Sequence, residues 1–154
     1  MISRRDFVAQ AAGLALTSIG AARVLAWSSP ATPMAVYKSA SCGCCGKWVD
    51  YVRANGFATT VHDEEDMDAI KDEMGVPKAV RSCHTAVVGK YVIEGHVPVD
   101  DIRRLLKDHP AVLGLAAPGM PKSGPGMAMP GEPHEPYEVV SFTTDGHTAA
   151  FARH

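Results

Sequence analysis

Met34-Ala35-Val36-Tyr37, then Ser39-Ala40-Ser41-Cys42-Gly43-Cys44-Cys45-Gly46, then Trp48-Val49-Asp50-Tyr51-Val52 reads as a strand, a loop of small residues and the start of a helix. The helix is predicted from about Cys44 to Asn55, with Trp48, Val49, Tyr51 and Val52 on its apolar side and Asn55-Gly56 as its stop. The decisive feature is the Cys-x-x-Cys, Cys42 to Cys45, at the junction. A helix N-terminus presents unpaired amide N–H groups and the positive end of the dipole, which favour thiolate over thiol. Thiolate is both the form that binds metal and the form that attacks disulfides.

Downstream, Phe57 to His62 reads as a second strand, with β-branched Thr59, Thr60 and Val61. A second helix is predicted from about Glu65, with Met67, Ile70 and Met74 as its core face and Gly75 and Pro77 ending it. Thr85–Val88 and Tyr91–Glu94 read as strands joined by a tight Gly89-Lys90 turn. Asp100 is expected to cap a third helix carrying Ile102, Leu105 and Leu106. The predicted fold class is therefore α/β, in the order β-α-β-α-β-β-α. With a Cys-x-x-Cys between the first strand and first helix, that is the thioredoxin-like order.

From Pro110 the composition changes. Gly114 to Pro136 is rich in Gly and Pro and holds Met120, Met127, Met129 and His134. It is expected to be an extended arm without regular structure. Tyr137 to Phe142 and His147 to Phe151, split by Asp145-Gly146, predict a terminal hairpin. The domain expectation is thus a thioredoxin-like metal-binding unit over 34–109, with 110–154 as an arm and hairpin packed on it.

Residues 1–26 are expected to be an export signal. Arg4-Arg5 forms a twin-arginine pattern, a weakly apolar run extends from Val8 to Ala22, and Val24-Leu25-Ala26 offers a cleavage site. Removing them takes away Arg4, Arg5, Arg23 and Asp6 and leaves a mature chain of net charge about −4, so nothing basic remains to track a phosphate backbone. Nucleic acid is therefore excluded as a partner, and no membrane span is expected after cleavage. A chain this long needs no disulfide staples, so its four cysteines require another use. Three of them fall within four residues, at Cys42, Cys44 and Cys45. A dithiol catalyst needs only two, whereas a group of thiolates suits copper(I) or zinc.

Cys83 and His84 stand directly before the third predicted strand. In a thioredoxin-like arrangement that junction abuts the Cys-x-x-Cys loop, and His84 occupies the place where a cis-proline usually lies. The expectation is that Cys83 and His84 join the first three cysteines. Met120 and Met127, on an arm able to span about 30 Å over the Met120–Met129 stretch when extended, could add soft thioether donors. The other histidines, His62, His96, His109, His134, His147 and His154, read as surface residues.

The chain resembles the CopG-like periplasmic copper-resistance proteins. The resemblance is carried by Tyr37-Lys38-Ser39, Cys42-Gly43-Cys44-Cys45-Gly46-Lys47-Trp48, Asn55-Gly56-Phe57, Ser82-Cys83-His84-Thr85, Glu94-Gly95-His96-Val97-Pro98, the stretch 114–121 and Ser123-Gly124-Pro125-Gly126-Met127. It implies a thioredoxin-like fold, a periplasmic location and a site holding several copper ions on the Cys42–Cys45 loop and Cys83. It also implies a part in copper tolerance, with a change of copper oxidation state among the roles it allows. Met127-Ala128-Met129 departs from the family pattern, in which an acidic residue commonly follows the first methionine.

The functional expectation is a periplasmic protein that binds more than one copper(I) ion and sequesters it, passes it on or handles its redox state. Its partners would be copper ions and other periplasmic copper-handling proteins, and no residue is assigned a catalytic role. The alternatives are a thiol–disulfide oxidoreductase using Cys42 and Cys45, and a structural zinc protein.

Overall fold

The computed structural model describes residues 30–154; the expected export signal and its cleavage after Ala26 lie outside the described residues. Among these residues, three helices and seven strands follow one another in the order β1 (Thr32–Lys38), α1 (Gly43–Ala54), β2 (Phe57–Asp63), α2 (Met67–Glu73), β3 (His84–Val88), β4 (Tyr91–Glu94), α3 (Val99–Asp108), β5 (Gly114–Ala116), β6 (Glu138–Phe142) and β7 (Thr148–Arg153), with a short 3-10 turn at Lys78–Val80. The strands form one sheet in the order β2-β1-β3-β4-β5-β6-β7. β1 runs parallel to β2, and β3 is antiparallel to both β1 and β4. The element order through α3 is the one the sequence predicts.

Alternation along the central strands sorts side chains between two faces. Ala86, Val88, Tyr91 and Ile93 pack with Trp48, Val49 and Val52 of α1 and with Ile102 and Leu105 of α3. Val92, with the opposite parity, packs with Val76, Val80, Ala116 and Phe142 in a smaller cluster. Trp48 is fully buried and donates its indole N–H to the Val97 carbonyl at 3.0 Å. That bond ties α1 to the chain leaving β4. Each fully buried aliphatic side chain of this core, such as Ile93 or Leu105, stabilises the fold by about 1.5–3 kcal/mol.

Four local expectations are corrected. Pro98, not Asp100, stands at the start of α3; its carbonyl accepts from the Asp101 and Ile102 N–H groups, and Asp100 lies in the first turn. α2 starts after Asp66, whose carboxylate accepts from the Ala69 N–H, rather than at Glu65. Met67, Ile70 and Met74 are half-buried rather than core, with Met74 against the edge of the smaller cluster. The stretch predicted to be irregular opens with β5, buried throughout and hydrogen-bonded between β4 and β6. Three residues are too few to leave a periodic signal.

The terminal hairpin, β6 and β7, extends the sheet and is tied back to α3. Arg104 lies over the Phe151 ring at 3.9 Å, and His154 pairs with Asp101 at 2.7 Å. Among the described residues no helix is long and apolar enough to cross a membrane.

Candidate metal centre

A four-residue loop carries the chain from β1 to α1 and leaves Cys42 as the residue capping the helix. The Cys42 side chain makes no capping bond, and the first turn holds no acidic residue. The positive end of the helix therefore faces the cysteines without a carboxylate to offset it. Cys42 and Cys45 form a disulfide, with their Cα atoms 5.4 Å apart. Cys44 is free, and its Sγ lies 3.6 Å from that of Cys42. Cys45 is fully buried, whereas Cys42 and Cys44 are half-buried.

Across the gap, Cys83 sits on the residue before β3. Its sulfur completes a group in which Cys42, Cys44, Cys45 and Cys83 Sγ atoms all lie within 4.8 Å of one another. The structure thus brings together the four cysteines that the sequence reading joined. His84 stands beside Cys83 but is not grouped with the other three cysteines. It is fully buried, its Nδ1 lies 3.3 Å from Cys83 Sγ, and its ring packs on Trp48 at 4.4 Å. His84 Nε2 is a buried side-chain nitrogen without a hydrogen-bond partner. Such an atom is costly to leave unsatisfied unless it meets a ligand. No peptide bond among the described residues is cis.

His96 is the residue that sequence reading missed. Expected at the surface, it is fully buried, and its Nε2 lies 3.1 Å from Cys83 Sγ. Its Nδ1–H donates to the Pro125 carbonyl at 2.8 Å, which leaves the Nε2 lone pair facing the sulfur. Cys83, His84 and His96 form a second group of donor atoms within 4.8 Å, sharing Cys83 with the first. The signal was present in the hairpin. Val88 pairs with Tyr91 and Thr85 with Glu94 across the Gly89-Lys90 turn; continuing that register sets Cys83 opposite His96.

The arm closes over this centre. Gly126 has φ +81°, and a Cβ there would lie 2.8 Å from Trp48 N and 3.2 Å from the Cys44 carbonyl. Only glycine lets the arm approach the first turn of α1 so closely. Met127 follows it, half-buried. Met120 is 57% exposed and, with Arg81, Ser82, Cys83 and Gly119, lines a cleft of about 280 Å³. The Ser82 hydroxyl donates to the Gly119 carbonyl and holds the arm at that edge. Met120 therefore stands at the opening beside Cys83, and Met127 follows the glycine that meets α1.

Burial dominates the electrostatics. It pushes the Cys83 thiol up to about 11, and the nearby Cys44 thiol adds to the effect. Burial also holds His84 well below the usual imidazole range, helped by His96 and Lys71, and lowers His96. Both imidazoles are therefore neutral near pH 7 and able to donate lone pairs. The centre can exist in two covalent states. With the disulfide closed, two sulfurs are withdrawn from metal binding; with it reduced, four sulfurs stand together and two imidazole nitrogens adjoin them on the Cys83 side.

The stretch 80–127, from the 3-10 turn through Cys83, His96 and Met120 to Met127, matches a family model described as a protein of unknown function, DUF411. Two solved structures, described as Form 2 and Form 1 of the copper resistance protein copG, are similar to this chain at 41% sequence identity and a TM-score of 0.75. The likeness covers 80% and 82% of this chain, respectively, and 98% of each of theirs. No curated protein sequence matches the chain.

Proposed function

This chain belongs to the family of the copper resistance protein copG, and from that premise we propose that it is a periplasmic protein binding more than one copper(I) ion and contributing to copper tolerance. The observation that carries the reading is the convergence of four cysteine sulfurs within 4.8 Å. Thiolates select soft ions, and a thiolate sulfur can bridge two copper(I) ions, so four of them support more than a single site. Zinc would be satisfied by four thiolates, but it gives no use to the exposed Met120 thioether in the Cys83 cleft.

The assigned donors are Cys42, Cys44, Cys45, Cys83 and His84, with His96 added to them and Met120 and Met127 supplied by the arm. Each thiol loses its proton on binding metal. The neutral imidazoles add donor atoms to the Cys83 side without adding charge. A group of one thiolate and two imidazoles suits either oxidation state of copper, which accommodates redox handling as well as storage or transfer to other periplasmic copper-handling proteins. Residues 1–26 would export the chain, residues 34–109 would form a thioredoxin-like metal-binding unit, and 110–154 would complete it.

A second reading, thiol–disulfide exchange, is favoured by the Cys42–Cys45 disulfide at the start of α1. It leaves Cys44 and the two buried histidines at Cys83 without a task. Anaerobic titration with copper(I) separates the readings. Fully reduced protein is expected to take up more than one equivalent, with thiolate-to-copper absorption in the ultraviolet. Protein with the disulfide closed is expected to take up less. Saturation at one equivalent removes the cluster, and absence of binding removes the copper reading.

A further inference from the structure

Behind the turn that carries Cys83 lies a buried ion pair that supplies no donor atom to the centre. Lys71 of α2 is 3% exposed and Glu94 of β4 is 0% exposed. Lys71 Nζ lies 2.6 Å from Glu94 Oε1 and donates to Thr85 Oγ1 at 2.8 Å. Thr85 Oγ1–H in turn donates to Glu94 Oε2 at 2.7 Å. Glu94 Oε1 accepts one further bond, from the backbone N–H of Ser82 at 2.6 Å.

Fold stability alone gives no reason for this arrangement. Apolar residues of similar volume commonly replace a buried ion pair with no loss of stability. Hydrocarbon could not, however, accept the Ser82 amide. The carboxylate does, and it bonds the Thr85 hydroxyl at the same time, so it grips the chain on both sides of Cys83-His84. The Gly95 N–H adds a bond to the His84 carbonyl at 2.9 Å. The residue before Cys83 and the two after it are all tied to the Glu94-Gly95 end of β4.

We infer that Lys71 and Glu94 are positioning residues: the pair fixes the Ser82-to-Thr85 backbone and so aims the Cys83 sulfur at Cys44 and His96 before any metal arrives. Lys71 holds the carboxylate charged and in place, and Glu94 holds the turn. The copper consequence of this inference rests on the proposed role of Cys83; the geometric claim does not.

Alkylation of copper-free protein tests the geometry directly. With the Cys42–Cys45 disulfide closed, Cys44 and Cys83 are the free thiols, and peptide mapping reads their iodoacetamide rates separately. Glu94→Asp keeps the charge for Lys71 but draws the acceptor back from the Ser82 amide. It is expected to raise the Cys83 rate several-fold and leave Cys44 unchanged, and K71M/E94L is expected to do the same. K71M/E94Q, which removes both charges but retains an acceptor for Ser82, is expected to restore the slow rate. If K71M/E94L fails to fold, Glu94→Asp decides alone. Equal Cys83 rates in Glu94→Asp and the parent, or an equal rise at Cys44, would overturn the inference.

Copper(I) titration supplies the second arm. Glu94→Asp is expected to weaken binding about tenfold, toward the lower end of what loss of support around a metal ligand costs, because the backbone on either side of Cys83-His84 is no longer held. In a Cys83→Ser background its effect is expected to shrink to the part carried by His84, because it acts mainly through that sulfur. An undiminished effect there would make the pair merely structural. Should the parent bind no copper(I), the functional reading falls, and the alkylation rates still decide whether the pair positions Cys83.

Discussion

The two walls of the centre are built differently. The α1 wall presents sulfur only, on a loop and first helical turn, and two of its three cysteines are joined in a disulfide. The β3–β4 wall presents one sulfur and two buried imidazoles from a hairpin whose register is fixed by its turn. One wall carries a disulfide and the other carries none. On the proposed function, reduction of that disulfide would add two donors on the α1 side and none on the hairpin side. The arm touches both, through Gly126 at α1 and through the Pro125 carbonyl on His96.

The largest structural effect on this comparison is expected at Gly126. An alanine there combines a left-handed φ with a Cβ placed against the backbone of Trp48, a strain of about 2–4 kcal/mol. The thermal midpoint of Gly126→Ala should fall accordingly. Because Gly126 meets the α1 wall, protection of the Cys44 thiol should fall more than that of Cys83. Equal loss on both sides would show that the arm clamps the walls as a unit.

A smaller effect distinguishes the hairpin wall. His84 and His96 both have depressed proton affinity in the folded protein, chiefly through burial. The unfolded chain therefore binds more protons below its ordinary imidazole pKa of 6.5, and stability falls as pH drops from there toward the depressed folded values. Above pH 6.5 both states are neutral at these groups and they add no slope. The melting temperature of copper-free protein is expected to drop by on the order of a few degrees between pH 7 and pH 5. His96→Gln should flatten that dependence. An unchanged slope in the variant would locate the acid sensitivity elsewhere.

Legibility from sequence follows the same division. The α1 wall could be read directly, because Cys42, Cys44 and Cys45 are adjacent and stand between a strand and a helix with ordinary local signals. Cys83 and His84 could be placed from element order, since the start of β3 must come to the end of the sheet where α1 begins. His96 was within reach, given the two-residue turn at Gly89-Lys90, but a lone histidine after a strand carries no mark of burial. The Lys71–Glu94 pair was out of reach. Its partners come from α2, β3 and β4, and a charged residue on a short helix reads as solvated until the packing is known. β5 escaped for a different reason: three residues amid Gly and Pro leave no period, and its pairing with β4 and β6 is decided wholly by tertiary contacts.

The central claim is that both walls hold the same metal cluster, and a double-mutant cycle tests it most directly. Copper(I) affinity and stoichiometry would be measured for the reduced parent, Cys45→Ser, Cys83→Ser and the double variant. Each single change should remove a similar, large share of binding, and the double loss should be clearly smaller than the sum of the two, because members of one cluster are coupled. Losses that simply add would mean two independent sites and contradict the account.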